Sequence, residues 1–357
     1  MSIRPIFPLS ALTCAALACS PLVHAQSSVM LYGVADASVV WQTHADSQGD
    51  HAVLVSNGAI NHSRFGLIGN EDLGGGTSAF FQLESGFNLQ DGTMAAPGTV
   101  FDRMAIVGLK GNFGSLSVGN QDTQFYSIMG ALDPLTVGDY YDTAWWYATD
   151  TFRKPSSVNY TKQFGPLTAS LSYAFGRIAG SVARGSQWGS GLTYAQGAFS
   201  LAAVYQQTKA AVSGGLQQIF GVASSYKYGD ATFYAGYQNN HDNADIGDAQ
   251  LNIAGAPYGT ANVARKDQGA FAGVAWQLTP YVLLREAYYY DDIHDAMKIS
   301  GNDGVRWAAV SEAEYSFSKR SSVYAQVDYN HTSGAARVQL PYSNNQTEFA
   351  VGMRHWF

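Results

Sequence analysis

The sequence predicts an all-β fold. It reads as a transmembrane antiparallel β-barrel of about sixteen strands, with long extracellular loops at one end and short periplasmic turns at the other. Three observations carry that reading. Charged residues make up only 13% of the 357, about half the ~25% usual in soluble domains. Apolar residues stay at 46% and mean hydropathy at −0.10, so charge has given way to Gly (38), Tyr (22), Phe (18) and small polar residues. Period-two alternation recurs along nearly the whole chain, and the connections between alternating segments are short and long by turns.

Met1 to Ala25 comes first and has the form of a secretory signal peptide. Arg4 precedes an apolar run from Ala11 to Ala18, and Val23-His24-Ala25 supplies a small-residue cleavage site. The run is far short of the ~20 residues that a membrane-spanning helix needs. Removing 25 residues would leave a barrel domain of 332 (26–357) and move the formal charge from −7 to −8, because Arg4 goes with them. Both cysteines, Cys14 and Cys19, leave too, so the exported chain would have no disulfide or thiol chemistry. Lipid attachment at Cys19 fits poorly, since Leu17 stands two residues before it where a lipobox wants Leu three before.

The strands follow in order. From Val29, the odd positions Leu31, Gly33, Ala35, Ala37, Val39 and Trp41 are apolar or small, while Tyr32, Asp36, Ser38 and Gln42 alternate with them. Between Ser78 and Leu89, Ala79, Phe81, Leu83, Phe87 and Leu89 alternate with Gln82, Glu84 and Asn88. From Arg306, Trp307, Ala309, Ala313, Tyr315 and Phe317 alternate with Glu312 and Glu314, and the last segment sets Phe349, Val351, Met353 and Phe357 against Glu348 and Arg354. Sixteen strands are expected to start near residues 29, 60, 77, 99, 115, 156, 167, 187, 198, 217, 231, 266, 281, 305, 322 and 347. Turn residues such as Gly74-Gly75-Gly76, Gly165-Pro166, Gln196-Gly197, Gly229-Asp230 and Thr279-Pro280 join alternate pairs tightly. The other connections are longer, up to Asp122 to Lys154.

A secreted β-sandwich or β-helix would explain alternation but not the scarcity of charge on one parity of nearly every strand. Nor would it explain aromatics at strand ends, such as Trp41, Tyr288-Tyr289-Tyr290 and Trp356-Phe357, which look like interfacial girdles. Arg285-Glu286 resists the scheme, because it must send one charge to each face. No strongly basic run is present, and 20 basic against 27 acidic residues speak against a nucleic-acid partner.

Several motifs together resemble the Gram-negative general porins of the betaproteobacterial type. They are Val29 to Asp36, Ser63-Arg64-Phe65-Gly66, Gly69-Asn70-Glu71-Asp72-Leu73-Gly74-Gly75-Gly76, Gln82 to Phe87, Phe101-Asp102-Arg103, Gly108 to Gly114, and Ser318-Lys319-Arg320. The close, Met353 to Phe357, matches the family's C-terminal pattern, and the resemblance makes Phe357 an assembly signal. The resemblance implies a homotrimeric outer-membrane channel for passive diffusion of small hydrophilic solutes and ions. Its partners would be lipopolysaccharide, outer-membrane lipids and the barrel-assembly machinery.

It further implies that the third long loop, about Gln121 to Lys154, folds inward as a constriction loop (residues 121–154). Basic wall residues carried over by motif are Arg64, Arg103 and Arg153. Acids expected at the constriction are Glu84, Asp122, Asp133, Asp139, Asp142 and Asp150. The loop also holds Tyr140-Tyr141 and Trp145-Trp146-Tyr147, the last a candidate stacking surface for a substrate-specific variant of the channel, taking a sugar or organic acid. Ile68 and Asn120 stand where the family usually has basic residues, so weak selectivity leaning to cations is expected.

Enzymatic chemistry finds no foothold in this pattern. His44, His51, His62, His241, His294, His331 and His355 form no ligand-spaced pair, so neither metal nor cofactor is expected. An outer-membrane lipase would need a Ser–His pair on the outer wall, and none stands out. Gly74-Gly75-Gly76 lies between strands, whereas a phosphate cradle needs a following helix.

Overall fold

The computed structural model describes residues 28–137, 144–148, 151–251 and 258–357. The expected signal segment, residues 1–25, lies outside the described residues. The chain opens with β1 (Ser28–Gln42), β2 (Ala52–Ser56) and β3 (Arg64–Gly74). It continues with β4 (Thr77–Gly86), β5 (Met104–Gly111), β6 (Gly114–Asp122), β7 (Arg153–Phe164) and β8 (Leu167–Ala174). Then come β9 (Gln187–Gln196), β10 (Phe199–Lys209), β11 (Leu216–Tyr228), β12 (Ala231–Asp242) and β13 (Arg265–Thr279). The last are β14 (Val282–His294), β15 (Gly304–Ser316), β16 (Ser321–Gly334) and β17 (Asn345–Trp356).

All pairings are antiparallel between neighbours, and the sheet closes on itself. β17 lies against β1 from Val34↔Trp356 to Gln42↔Glu348, and Gly33 and Phe357 exchange two backbone hydrogen bonds at 3.1 Å. β3 pairs with the lower part of β1 (Ser28–Val34) and β2 with its upper part (Ser38–Gln42), so these two segments are halves of one wall strand. Seventeen segments therefore make the sixteen wall strands expected. Closure is what lets such a chain sit in lipid, since it satisfies the backbone groups within the sheet and leaves no edge.

Tight turns lie at one end. Gly165, Gly197 and Gly229 adopt φ of +58°, +62° and +59°, the left-handed conformation that two-residue hairpin turns require. Exposed aromatics crowd this rim: Phe113, Phe164, Tyr228, Trp276, Tyr281 and Phe317 among them. In β1, Val34, Asp36, Ser38 and Val40 point inward and are buried, while Val39 and Trp41 point outward and are exposed.

Three details differ from the sequence reading. The second strand, expected to run from near residue 60, is interrupted: residues 57–63 leave the ladder and turn inward. Asp36 draws them in, accepting from the amide of Asn61 (2.9 Å) and the hydroxyl of Tyr324 (2.5 Å), while Ala59 and Ile60 bury themselves against Val40, Tyr324 and Ala350. The fourth strand, expected near 99, begins at Met104, because Asp102 caps the amide of Gly86 (2.8 Å) and keeps residues before it in a loop. Finally, Tyr289 and Trp356 are not girdle residues. Tyr289 is fully buried inside the barrel, and the ring of Trp356 lies 5.5 Å from each of the guanidiniums of Arg64 and Arg354.

Arg285-Glu286 does send one charge to each face. Arg285 reaches inward to Glu312 and to Glu314 (3.2 Å), and Arg354 binds Glu314 in turn, giving a ladder of paired charges on the inner wall. Glu286 faces outward and accepts a hydrogen bond from Ser311 on the neighbouring strand, which partly meets the need of a carboxyl on that face.

Candidate pore constriction

The long connection between β6 and β7 enters the barrel rather than projecting from it. Thr123 caps α1 (Gln124–Gly130), its hydroxyl accepting from the amide of Tyr126 (3.3 Å), and a second helix, α2 (Ala144–Ala148), follows. Phe125, Met129, Leu132, Leu135, Trp146 and Tyr147 form one buried cluster with the inner wall of β10–β15. Where the loop docks, the wall presents apolar inward residues: Ala202, Val204, Ile219, Ala223, Phe271, Ala287 and Tyr289. Aromatic edges meet across the joint, with Trp146 at 5.2 Å from Phe271 and 5.0 Å from Tyr147. Two inward glycines make the fit possible. A Cβ at Gly221 would lie 2.8 Å from the sulfur of Met129, and one at Gly273 would lie 2.6 Å from Pro134.

Asp133 fastens this joint. It is fully buried, accepting from the hydroxyls of Tyr147 (2.9 Å) and Tyr289 (2.9 Å) and from the amide of Leu135 (2.8 Å). It therefore does not face the pore as expected. A buried carboxylate needs donors, and here two phenols and a backbone amide supply them. Trp146 and Tyr147 are likewise buried against the wall, which removes them as a stacking surface. Asp139, Tyr140, Tyr141, Asp142 and Asp150 lie outside the described residues.

Opposite the docked loop, charges alternate along five neighbouring positions of the wall: Arg64 on β3, Glu84 on β4, Arg103 just before β5, Asp122 at the end of β6 and Arg153 at the start of β7. Arg103 Nε binds Glu84 Oε1 at 2.7 Å, and Arg64 Nε lies 3.7 Å from Glu84 Oε2. Arg153 Nε sits 2.9 Å from Asp122 Oδ1, close as an ion pair but without the alignment of a hydrogen bond. The same guanidinium lies 5.6 Å from the ring of Tyr126 on the loop. Glu84 is held further by the hydroxyl of Tyr32 (2.8 Å), which accepts from Gln82 (2.7 Å). All five side chains keep partial exposure, between 12% and 26%, so they line water rather than a dry core.

The three arginines carried over by motif and two of the expected acids, Glu84 and Asp122, thus lie together in this belt, with the acids interleaved among the arginines instead of facing them from the loop. Tyr32, Gln82 and Trp356 complete the belt and were not found from the sequence. Asn120 donates to the carbonyl of Asp102 (3.0 Å), supporting the segment that carries Arg103. The docking wall carries a signal in the sequence: apolar residues at mid-strand positions on the lumen parity of β10, β11, β13 and β14. No cluster of three or more metal-ligating side chains occurs among the described residues.

Comparison with known proteins agrees with the barrel fold. The sequence model of the family described as Gram-negative porin matches residues 11–335. Outer membrane porin protein 32 of Delftia acidovorans is 32% identical over 298 residues, covering 76% of this chain and 83% of that protein. Among solved structures, an anion-selective porin from Comamonas acidovorans superposes with a TM-score of 0.76 at 23% identity, covering 93% of this chain and 100% of the other. The trimer form of OmpT, an outer-membrane protein of Vibrio cholerae, gives a TM-score of 0.65 at 18% identity over 93% and 99%.

Proposed function

The chain belongs to the Gram-negative porin family, as an outer-membrane channel for passive diffusion of small hydrophilic solutes and ions, and on that premise we propose that the belt from Arg64 to Arg153 sets its filter. The single observation that carries this proposal is the alternation Arg64–Glu84–Arg103–Asp122–Arg153 on the wall facing the docked loop. Fixed charges lining a narrow aqueous passage select by sign, and guanidinium stays charged across physiological pH.

Among the described residues of the belt, three guanidiniums against two carboxylates leave one positive charge in surplus. The sequence expectation of a cation lean rested on Ile68, Asn120 and the five loop acids together. Of those acids, Asp139, Asp142 and Asp150 lie outside the described residues, while Asp122 is paired with Arg153 and Asp133 is buried under Tyr147 and Tyr289, which supports a weak lean toward anions instead. The reversal potential across a potassium chloride gradient tests this. A chloride preference of about two- to threefold is expected for one screened surplus charge. A clear potassium preference would overturn the assignment.

The chain works as a channel rather than an enzyme, and residues 1–25 serve as its removable export segment. It assembles as a homotrimer among outer-membrane lipids and lipopolysaccharide, a state supported by the trimer form described for OmpT. Phe357, whose backbone bonds Gly33 across the closing strands, is the mark read by the barrel-assembly machinery.

A further inference from the structure

A separate cavity of about 350 Å³ opens toward the long-loop end, between α2, the segment 335–344 and the inner wall of β15, β16 and β17. It stands apart from the charge belt, and its lining has a chemistry of its own. Arg306 projects from β15 and stacks its guanidinium 4.5 Å from the ring centre of Trp145. The same group donates to Gln339 (2.5 Å) and to Asn330 (3.1 Å), and Asn330 donates in turn to Asp328 (3.0 Å). The guanidinium is thereby met by amide oxygens and an aromatic face, and Glu348 on the same lining brings a carboxylate that disfavours an anionic ligand, as Arg306 disfavours a cationic one.

What the cavity leaves open is neutral hydrogen-bonding capacity. The indole N–H of Trp145 is buried and has no partner among the described residues, although Trp145 is only 5% exposed. A buried donor without an acceptor is unfavourable and is a site where a ligand oxygen is rewarded. Across the cavity, Gln346 donates to the carbonyl of Thr43 (3.2 Å) and keeps its own amide oxygen as an acceptor. A ligand that must accept at one end and donate at the other, carry no net charge and fit at the small end of ligand-site volumes is a compact polyhydroxylated solute.

We propose that this vestibule cavity is a binding subsite for a neutral sugar, a mono- or disaccharide, held between Trp145 and Gln346 before it passes the belt. The proposal rests on the channel reading and deepens it by naming a solute class. Arg306 joins the two sides of the cavity, contacting Trp145 and donating to Gln339 of the segment 335–344.

Planar-bilayer recordings on the full protein test it, with glucose or maltose added to one side at a time. Sugar added on the long-loop side should reduce the current with half-block in the millimolar range, expressed as a fraction of the same channel's sugar-free current. Trp145→Phe keeps the ring under Arg306 but removes the N–H, and should raise the half-blocking concentration about tenfold, as the loss of one buried hydrogen bond implies. Gln346→Leu, on the opposite side, should do the same and serves if the first variant fails to insert. The proposal is overturned if neither sugar blocks, if a polyethylene glycol of equal size blocks equally well, if glycine rather than sugar is the blocker, or if both variants match the parent. Calorimetric titration of maltose into the detergent-solubilised protein reads the same site without conduction. A protein that binds maltose yet passes no current would refute the channel reading alone, and a conducting protein that binds none would refute only the sugar subsite.

Discussion

Asp122 and Arg153 face each other directly in the β6–β7 register, and their pairing decides how much positive charge the passage presents. Asp122→Asn uncovers Arg153 without changing shape. The expected outcome is a reversal potential shifted further toward chloride by about another twofold, with stability changed by no more than ~1 kcal/mol, because both side chains are part-exposed and such pairs contribute little. An unchanged reversal potential would show that Asp122 lies outside the ion path. At this scale the sequence was readable where a residue sits inside a local motif, as Arg64 does after Ser63 and Arg103 after Phe101-Asp102. Asp133 was not readable. A loop carboxylate looks the same whether it meets water or a phenol, and its two phenol partners stand 14 and 156 residues away.

At the level of elements, the strands were legible because lipid on one side and water on the other impose a period of two on nearly every one. What escaped were the places where the ladder yields to side chains: the inward turn at 57–63 and the late start of β5, each set by one carboxylate, Asp36 and Asp102, acting across the chain. The inward loop owes its position to wall glycines as much as to its own aromatics. Gly221→Leu would drive a side chain into Met129 and Phe125, where even a Cβ comes within 2.8 Å and 2.9 Å. We expect the loop to lift from β11, single-channel conductance to rise, and stability to fall by roughly 1–3 kcal/mol, the usual range for overpacking. Conductance equal to that of the parent would mean that the loop does not limit the passage.

For the whole molecule, the low charge content follows from the barrel: outward positions are largely closed to charge, Glu286 being an exception, and many of the remaining ionised side chains gather in inner-wall ladders such as Arg285–Glu312–Glu314–Arg354. The ladder is interrupted beside Asp36. β3 reaches β1 only as far as Val34, and β2 resumes at Ser38. Across that gap a single hydroxyl replaces the missing ladder: Ser63 accepts from the amide of Asp36 (2.9 Å) and donates to its carbonyl (2.9 Å). Ser63→Ala leaves both groups unmet within a wall that lipid surrounds, so hydrogen exchange at the Asp36 amide should accelerate by about tenfold or more, while amides of β12 and β13 keep their protection. Equal protection in parent and variant would show that water or backbone closes the gap instead. In mechanical terms the wall is a hoop with one stitched seam. Under a pulling force applied at either terminus, that stitch is where the hoop should first tear, which makes a hydroxyl group of one serine the weakest rivet of a barrel fastened mainly by its backbone.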